Sequence, residues 1–310
     1  PAFVGALSSG VTLPVARSVA VPNRVVQISP ASTSPELTTL DDDGYIFRTV
    51  ASDALQGVVL ADVAWERGFR RVSVIYINNP YGVGLERAFR EAYEALGGRV
   101  SASRAFEANR PSYRGELNAV ATGGAEALVV IAYPENGINI VRQALEEGFF
   151  QKFLFPDGMK APEVIEAIGA RFLNDTYGTA PEAKPGQEGA NRFSAAYEAR
   201  FGELPPKPYM PEAYDATFIL AMAIEKAGAA TGPAIRDALG DLLDPNGETV
   251  YAGEWAKAKQ LIAAGKKIRY EGASGLIAFD ENGDRSAATI GVWKIEDGQI
   301  VTDRIVEVQR

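Results

Sequence analysis

The stretch RVSVIYINNPYGVGLERAFREAYEALGG, residues 71–98, decides the fold class. Arg71–Ile77 is a short run rich in β-branched residues, the pattern of a buried strand. It stops at Asn78-Asn79-Pro80, and from Gly84 the apolar residues change period. Leu85, Phe89, Ala92, Tyr93 and Leu96 fall on one stripe, with Arg and Glu opposite, as in an amphipathic helix. Gly97-Gly98 supplies the C-terminal stop. Further strand candidates are Ala2–Leu7, Arg24–Ser29, Tyr45–Val50, Arg99–Phe106, Ala127–Tyr133, Lys152–Phe155 and Asp175–Thr179. Such alternation predicts an α/β chain whose parallel sheets carry helices on both faces.

Beyond Ala180 the texture changes. Helices are predicted over Gly189–Phe201, Ala213–Gly228 and Gly232–Leu243. Strand character returns in Leu276–Phe279, Thr289–Ile295 and Ile300–Val308. DENGDRS (280–286) and EDGQ (296–299) read as hairpin turns. The proline-rich ELPPKPYMPE (203–212) reads as a constrained loop rather than a linker.

The 310 residues suggest two domains, each long enough to bury a core. The composition, 46% hydrophobic and 23% charged, is that of a globular protein. Forty acidic against 31 basic residues give a dispersed net charge of −9, which argues against nucleic-acid or anionic-membrane binding. The chain has neither Cys nor His. That excludes Ser-His-Asp and Cys-His nucleophilic sites, thiolate metal sites and nearly all zinc chemistry. No apolar run reaches the roughly 18 residues of a membrane span, so no direct membrane insertion is expected. The chain opens at Pro1 as if already in a strand, so a processed or truncated start is expected.

Ligands of open parallel sheets sit beyond the carboxyl ends of the strands. The first two strands lead into hydroxyl-rich junctions, Ser8-Ser9-Gly10 and Pro30-Ala31-Ser32-Thr33-Ser34-Pro35. Plain helix capping accounts for either junction alone. Two successive junctions with more hydroxyls than a cap needs point to a carboxylate cradle without arginine. Three later strand ends carry Tyr81 (NNPYGVG), Tyr133 (YPENG) and Asp157 (PDG). A carboxylate beside two tyrosines suits an ammonium group. Taken separately, Asp-Gly is a common turn and a strand-end tyrosine commonly packs.

Nucleotide-binding glycine patterns are absent. LDDDG (40–44) lacks the ligand spacing of a calcium loop and reads as a solvated turn. No metal site or cofactor is expected. An enzyme on this fold would have only carboxylates, Tyr and Lys for acid–base work, and no paired carboxylates converge.

FVGALSSGVTLPVA, VVQISPASTSPELT, YIFRTVASDALQGVVLADV, RVSVIYINNPYGVGLERAF and GASGLIAFDENGD, in this order, resemble the periplasmic solute-binding proteins of ABC transporters, of the leucine/isoleucine/valine-binding type. The resemblance implies the type I periplasmic binding fold: two doubly wound lobes joined by three crossovers, with a ligand held in the cleft between them. It implies that Ser9, Ala31 and Thr33 hold a ligand α-carboxylate, and that Tyr81, Tyr133 and Asp157 receive its α-ammonium. Asp157 stands where this type often has Glu. Ser8 and Tyr209 are weaker pocket candidates. The implied role is non-enzymatic: an extracytoplasmic component that captures an amino acid, neutral or branched-chain-like, by cleft closure and delivers it to the membrane permease of an ABC importer. The alternative is the same fold holding an amide, a short-chain acid or an aromatic carboxylate, as importer or sensor component.

Laid on this chain, the resemblance predicts lobe one as residues 1–50 and 180–270 and lobe two as 51–179 and 271–310. It also implies two further β–α units, roughly 60 residues, ahead of the strand that opens this sequence. Lobe one is therefore expected to be incomplete here.

Overall fold

The computed structural model describes residues 1–205 and 207–309. In chain order the strands are β1 (Ala2–Val4), β2 (Val26–Ser29), β3 (Ile46–Arg48), β4 (Arg71–Ile77), β5 (Arg99–Phe106), β6 (Ala127–Ile131), β7 (Phe153–Phe155), β8 (Tyr177–Pro181), β9 (Leu243–Tyr251), β10 (Ile268–Gly272), β11 (Gly275–Ile277), β12 (Ala287–Glu296) and β13 (Gln299–Gln309). The helices are α1 (Ser9–Val15), α2 (Asp53–Glu66), α3 (Pro80–Ala95), α4 (Arg114–Val120), α5 (Pro134–Glu146), α6 (Pro162–Ile168), α7 (Ala170–Leu173), α8 (Glu188–Phe201), α9 (Met210–Ala227), α10 (Gly232–Leu242) and α11 (Trp255–Ala263). The chain divides into two compact units. Unit 1 comprises Pro1–Ser52, Glu182–Thr289 and a short C-terminal piece from Glu307, and unit 2 comprises Asp53–Pro181 and Ile290–Val306.

In unit 1, β1, β2 and β3 form a parallel sheet in that order, with Val4 beside Ile28 and Ser29 beside Arg48. Because side chains alternate across a strand, each face needs its own cover. Val26, Ile28, Tyr45 and Phe47 pack with Ile219 and Met222 of α9 and with Ile235 and Leu239 of α10. On the other face, Ile46 packs with Leu13 of α1 and with Ala16, Ala20 and Leu37. A second small sheet has β10 between β9, which is parallel to it, and β11, which is antiparallel.

Strands β9 and β10 escape the sequence reading. LDPNGETVY carries Pro245, Asn246 and Gly247, which are turn signals. Gly247 is needed because a Cβ there would lie 2.6 Å from the Lys267 carbonyl oxygen of the neighbouring chain segment.

Unit 2 is one seven-stranded sheet in the order β13-β12-β8-β7-β6-β4-β5. The strands from β8 to β5 are parallel, and β12 joins antiparallel to β8. All five residues of β6 are buried, as befits a central strand covered on both faces. Helix α3 presents Leu85, Phe89 and Tyr93 inward, the stripe read from residues 71–98. Gly57 of α2 lets that helix close on α3, since a Cβ would lie 2.7 Å from the Phe89 nitrogen. The EDGQ turn places Asp297 and Gly298 both at positive φ (51° and 78°), as a two-residue hairpin turn demands.

The unit boundaries fall after Ser52, Pro181 and Thr289. The third was expected near Glu271-Gly272, within β10. Residues 273–289 instead belong to unit 1, and the cause is visible in the DENGDRS turn. Arg48 N donates to the Gly283 carbonyl at 3.0 Å, and a Cβ on Gly283 would meet the Ile46 carbonyl oxygen at 2.1 Å, so the turn is seated on β3. Strand β11 pairs with β10 and holds the same segment. In the proline-rich loop Pro206 lies outside the described residues. Among the described residues no single helix is long and apolar enough to cross a membrane.

Candidate ligand-binding site

In unit 1 the hydroxyls after β1 and β2 form one network. Ser29 Oγ donates to the Ala6 carbonyl at 2.7 Å and accepts the Ser32 N–H at 3.0 Å. Ser32 Oγ lies 2.7 Å from Thr12 Oγ1 and donates to the Leu7 carbonyl at 3.1 Å. Ser34 Oγ accepts Glu36 N–H at 3.3 Å and caps the 3-10 turn Pro35–Leu37. Capping and turn-making thus use three of the four hydroxyls between Ser29 and Ser34. The fourth, Thr33 Oγ1, is 1% exposed and has no hydrogen-bond partner. Other buried polar atoms, Gln27 Oε1 and Thr179 Oγ1 among them, are also unpaired. What distinguishes Thr33 is its place in the loop beyond β2.

Ser9 joins the same loop, its Oγ accepting Ser34 N–H at 3.2 Å. That bond leaves the Ser9 hydroxyl hydrogen for another acceptor. Ala31 lies in the loop with its N–H 3.4 Å from Ser29 Oγ. Ser8 directly precedes α1, and its carbonyl accepts Thr12 N–H at 2.9 Å. Tyr209 directly precedes α9 with its backbone in the left-handed region (φ 69°), so the start of that helix sets its position. Asp42 of LDDDG accepts Gly44 N–H at 2.8 Å, a local turn.

Unit 2 brings its three predicted residues together. The order β5-β4-β6 marks the point where the winding reverses, and ligands of doubly wound sheets sit at that switch. Tyr81 lies in the first turn of α3, just after β4, and Tyr133 precedes α5, just after β6. Their rings stack with centroids 5.3 Å apart at 20°. Asp157 begins the 3-10 turn after β7 and is 5% exposed. Its Oδ1 accepts the Tyr81 hydroxyl at 2.9 Å and Gln56 Nε2 at 2.7 Å. The Tyr81 oxygen in turn accepts Gly158 N–H at 3.3 Å.

Sequence reasoning missed Gln56. It lies inside α2, away from any strand end, and is 1% exposed. Facing a carboxylate fixes its amide, since only the nitrogen can donate. Its Oε1 is left buried without a partner. Arg48 was missed too, although a charge inside the apolar run Tyr45–Val50 was a readable signal. It is 1% exposed and pairs with Asp284 at 2.6 Å.

Two α/β units, one of them doubly wound, each with polar groups gathered at strand ends, define a solute-binding architecture. A family model described as a periplasmic binding protein matches residues 1–299. The chain belongs to that family, and the recognition made from the five sequence segments is borne out. A Leu/Ile/Val-binding protein homologue of Brucella melitensis is 27% identical over 299 residues, covering 96% of this chain and 73% of its own length. The crystal structure of a leucine-binding protein from Thermotoga maritima superposes with a TM-score of 0.82 at 26% identity, covering 98% of this chain and 79% of that one. A solute-binding protein of an R. palustris ABC transporter, in complex with benzoate, shares the fold at a TM-score of 0.74 and 14% identity, covering 100% of this chain and 79% of that one. These relatives are solute-binding proteins, not enzymes, and the family implies an extracytoplasmic location.

Proposed function

We propose that the protein is the extracytoplasmic substrate-binding component of an ABC importer and that its solute is an amino acid, neutral or branched-chain-like. The ligand carboxylate is assigned to Ser9, Ala31 and Thr33, and its ammonium to Tyr81, Tyr133 and Asp157. The observation that carries this reading is the cluster at the switch point of unit 2. There a buried carboxylate is oriented by two neutral donors, Gln56 and Tyr81, beside a tyrosine pair. The negative charge of that carboxylate, held between neutral donors, suits an ammonium group. In unit 1 the unpartnered Thr33 hydroxyl fits a carboxylate oxygen. Contacts that a ligand makes to both lobes would favour a closed state over an open one. A membrane permease would read that state.

The test is a thermal-shift screen of amino acids, amines without a carboxylate and carboxylic acids without an ammonium. Bound ligand raises the melting temperature by mass action. Amino acids should shift it and Asp157→Ala should abolish the shift. Amines that bind as well as the amino acids would remove the carboxylate cradle from the reading.

A second reading is favoured by one detail: Gln56 and Tyr81 already satisfy Asp157 in part. A solute without an ammonium, such as an aromatic or short-chain acid, would then need no charge from Asp157. Harmless substitution by Asn would select this reading.

A further inference from the structure

Arg48 makes an unusual set of contacts for a residue at the end of a three-residue strand. Its Nη1 donates to three successive carbonyl oxygens, those of Ser32, Thr33 and Ser34, at 3.4, 2.9 and 2.9 Å. Its Nε and Nη2 meet the two oxygens of Asp284 at 2.6 and 2.8 Å, and Nη2 also donates to Thr38 Oγ1 at 2.9 Å. Thr38 donates to the same carboxylate at 2.6 Å. Asp284 is held in turn by its backbone N–H on Asp280 Oδ1 at 3.0 Å.

We infer that Arg48, locked by Asp284, is the positioning residue of the carboxylate cradle: it sets the loop conformation in which Thr33 and Ser9 can receive an anion. In a trans peptide the N–H points opposite to the C=O. Drawing the Ser32 and Thr33 carbonyls onto one guanidinium therefore turns the N–H groups of Thr33 and Ser34 away from it. Ser34 N–H then meets Ser9 Oγ, and Thr33 N–H lies beside the unpartnered Thr33 hydroxyl. The Ser34 carbonyl is followed by Pro35, which has no N–H to leave stranded. The Ser34 N–H is taken by Ser9 Oγ and orients that hydroxyl, and the Thr33 hydroxyl remains as the unpartnered donor of the loop. The charge of Arg48 is offset by Asp284, so its contribution is geometric. A lysine could not replace it, because an ammonium has three donors and lacks the planar fork.

The inference rests on the proposed carboxylate site, and the experiment separates the two. Wild-type, Arg48→Lys and Thr38→Val proteins are compared by hydrogen exchange of the ligand-free state and by calorimetric titration with L-leucine, L-leucinamide and isovalerate. Leucinamide lacks the carboxylate and isovalerate lacks the ammonium. The expected result for Arg48→Lys is faster exchange at Thr33 and Ser34, with at least about tenfold weaker leucine binding and leucinamide changed by less than about threefold. Thr38→Val, which removes one outer partner of the guanidinium, should give a smaller loss confined to carboxylate ligands. It carries the test if the lysine variant does not fold, and its unchanged leucine affinity would then overturn the inference. Unchanged exchange at Thr33 and Ser34 overturns it, as does an equal loss for leucine and leucinamide, which would mark a purely structural arginine. A wild-type protein that binds isovalerate but not leucine overturns the amino-acid reading alone. One that binds neither overturns both.

Discussion

Tyr81 donates its hydroxyl proton to Asp157 across 76 residues of sequence, at 2.9 Å, and both side chains are buried. This bond joins the loops after β4 and β7, across the end of β6 that lies between them in the sheet. It fixes the direction of the carboxylate while its ring stacks on Tyr133. Tyr81→Phe keeps the stack and deletes the bond. A hydrogen bond to a charged acceptor contributes about 1.5–3 kcal/mol, so amino-acid affinity should fall about 10- to 100-fold by calorimetry. A variant that binds like wild type would remove Asp157 orientation from the account.

Gly158 is the next residue to test, because its lack of a side chain is what lets this bond form. A Cβ there would lie 2.4 Å from the Ala132 carbonyl oxygen and 2.9 Å from the Tyr81 hydroxyl. Neither neighbour is a flexible chain end: one is backbone at the tip of β6, the other a ring wedged in a stack. Gly158→Ala should therefore lower the melting temperature and weaken ligand binding together. A change in stability alone would mean that the tyrosine can move without consequence.

The candidate half-sites were legible because strand ends are local features. An apolar run followed by Asn-Pro-Tyr or Pro-Asp-Gly marks where a strand stops and which polar side chain stands at its tip. Strands β4 and β5 match the sequence reading residue for residue: β4 is a sharply bounded apolar run, and β5 starts directly after the Gly97-Gly98 stop. The supporting residues were not legible, for two physical reasons. Gln56 sits in the first turn of α2, where polar residues commonly cap or face solvent, and only the approach of the turn after β7 makes it a partner. Arg48 meets Asp284 across 236 residues, a pairing created by the seating of one turn on one strand. That same seating moved the third unit boundary beyond β10.

Another buried carboxylate of unit 1, Asp215, has a structural role that can be measured. It accepts Tyr270 Oη at 2.8 Å, Ala273 N–H at 2.7 Å, and the N–H and hydroxyl of Ser274 at 2.8 and 2.7 Å. Burial pushes its carboxyl upward, opposed by the bonds from Ser274, Ala273 and Tyr270. Burial and the neighbouring Asp215 push Tyr270 well above its usual range, keeping it a donor. Asp215→Asn presents an amide N–H₂ to groups that are all donors. Denaturant unfolding should show a loss of about 1.5–3 kcal/mol. Tyr270→Phe should cost about 1 kcal/mol, and the double variant should cost less than the sum because the two share one bond.

Acid should weaken the protein partly through two surface carboxylates of different kinds. Lys226 and Lys267 bond Asp241 and hold its carboxyl down at about 2. Backbone N–H groups of Arg70 and Arg71, at 2.7 and 2.8 Å, hold Glu126 below its usual value. A carboxylate depressed in the folded state stabilises it above the unfolded value, about 4, and loses that contribution as pH falls through the folded value. Denaturation midpoints should therefore show Asp241→Asn and Glu126→Gln destabilised at pH 7 and converging on wild type near pH 2. Salt separates the two. The Asp241 pairs are exposed charges, so 1 M NaCl at pH 7 should shrink the effect of Asp241→Asn. Glu126 is held chiefly by hydrogen bonds to fixed amides, so its variant should keep most of its deficit. Equal salt sensitivity would mean that Glu126 acts through the guanidinium charges of Arg70 and Arg71 rather than through their backbone.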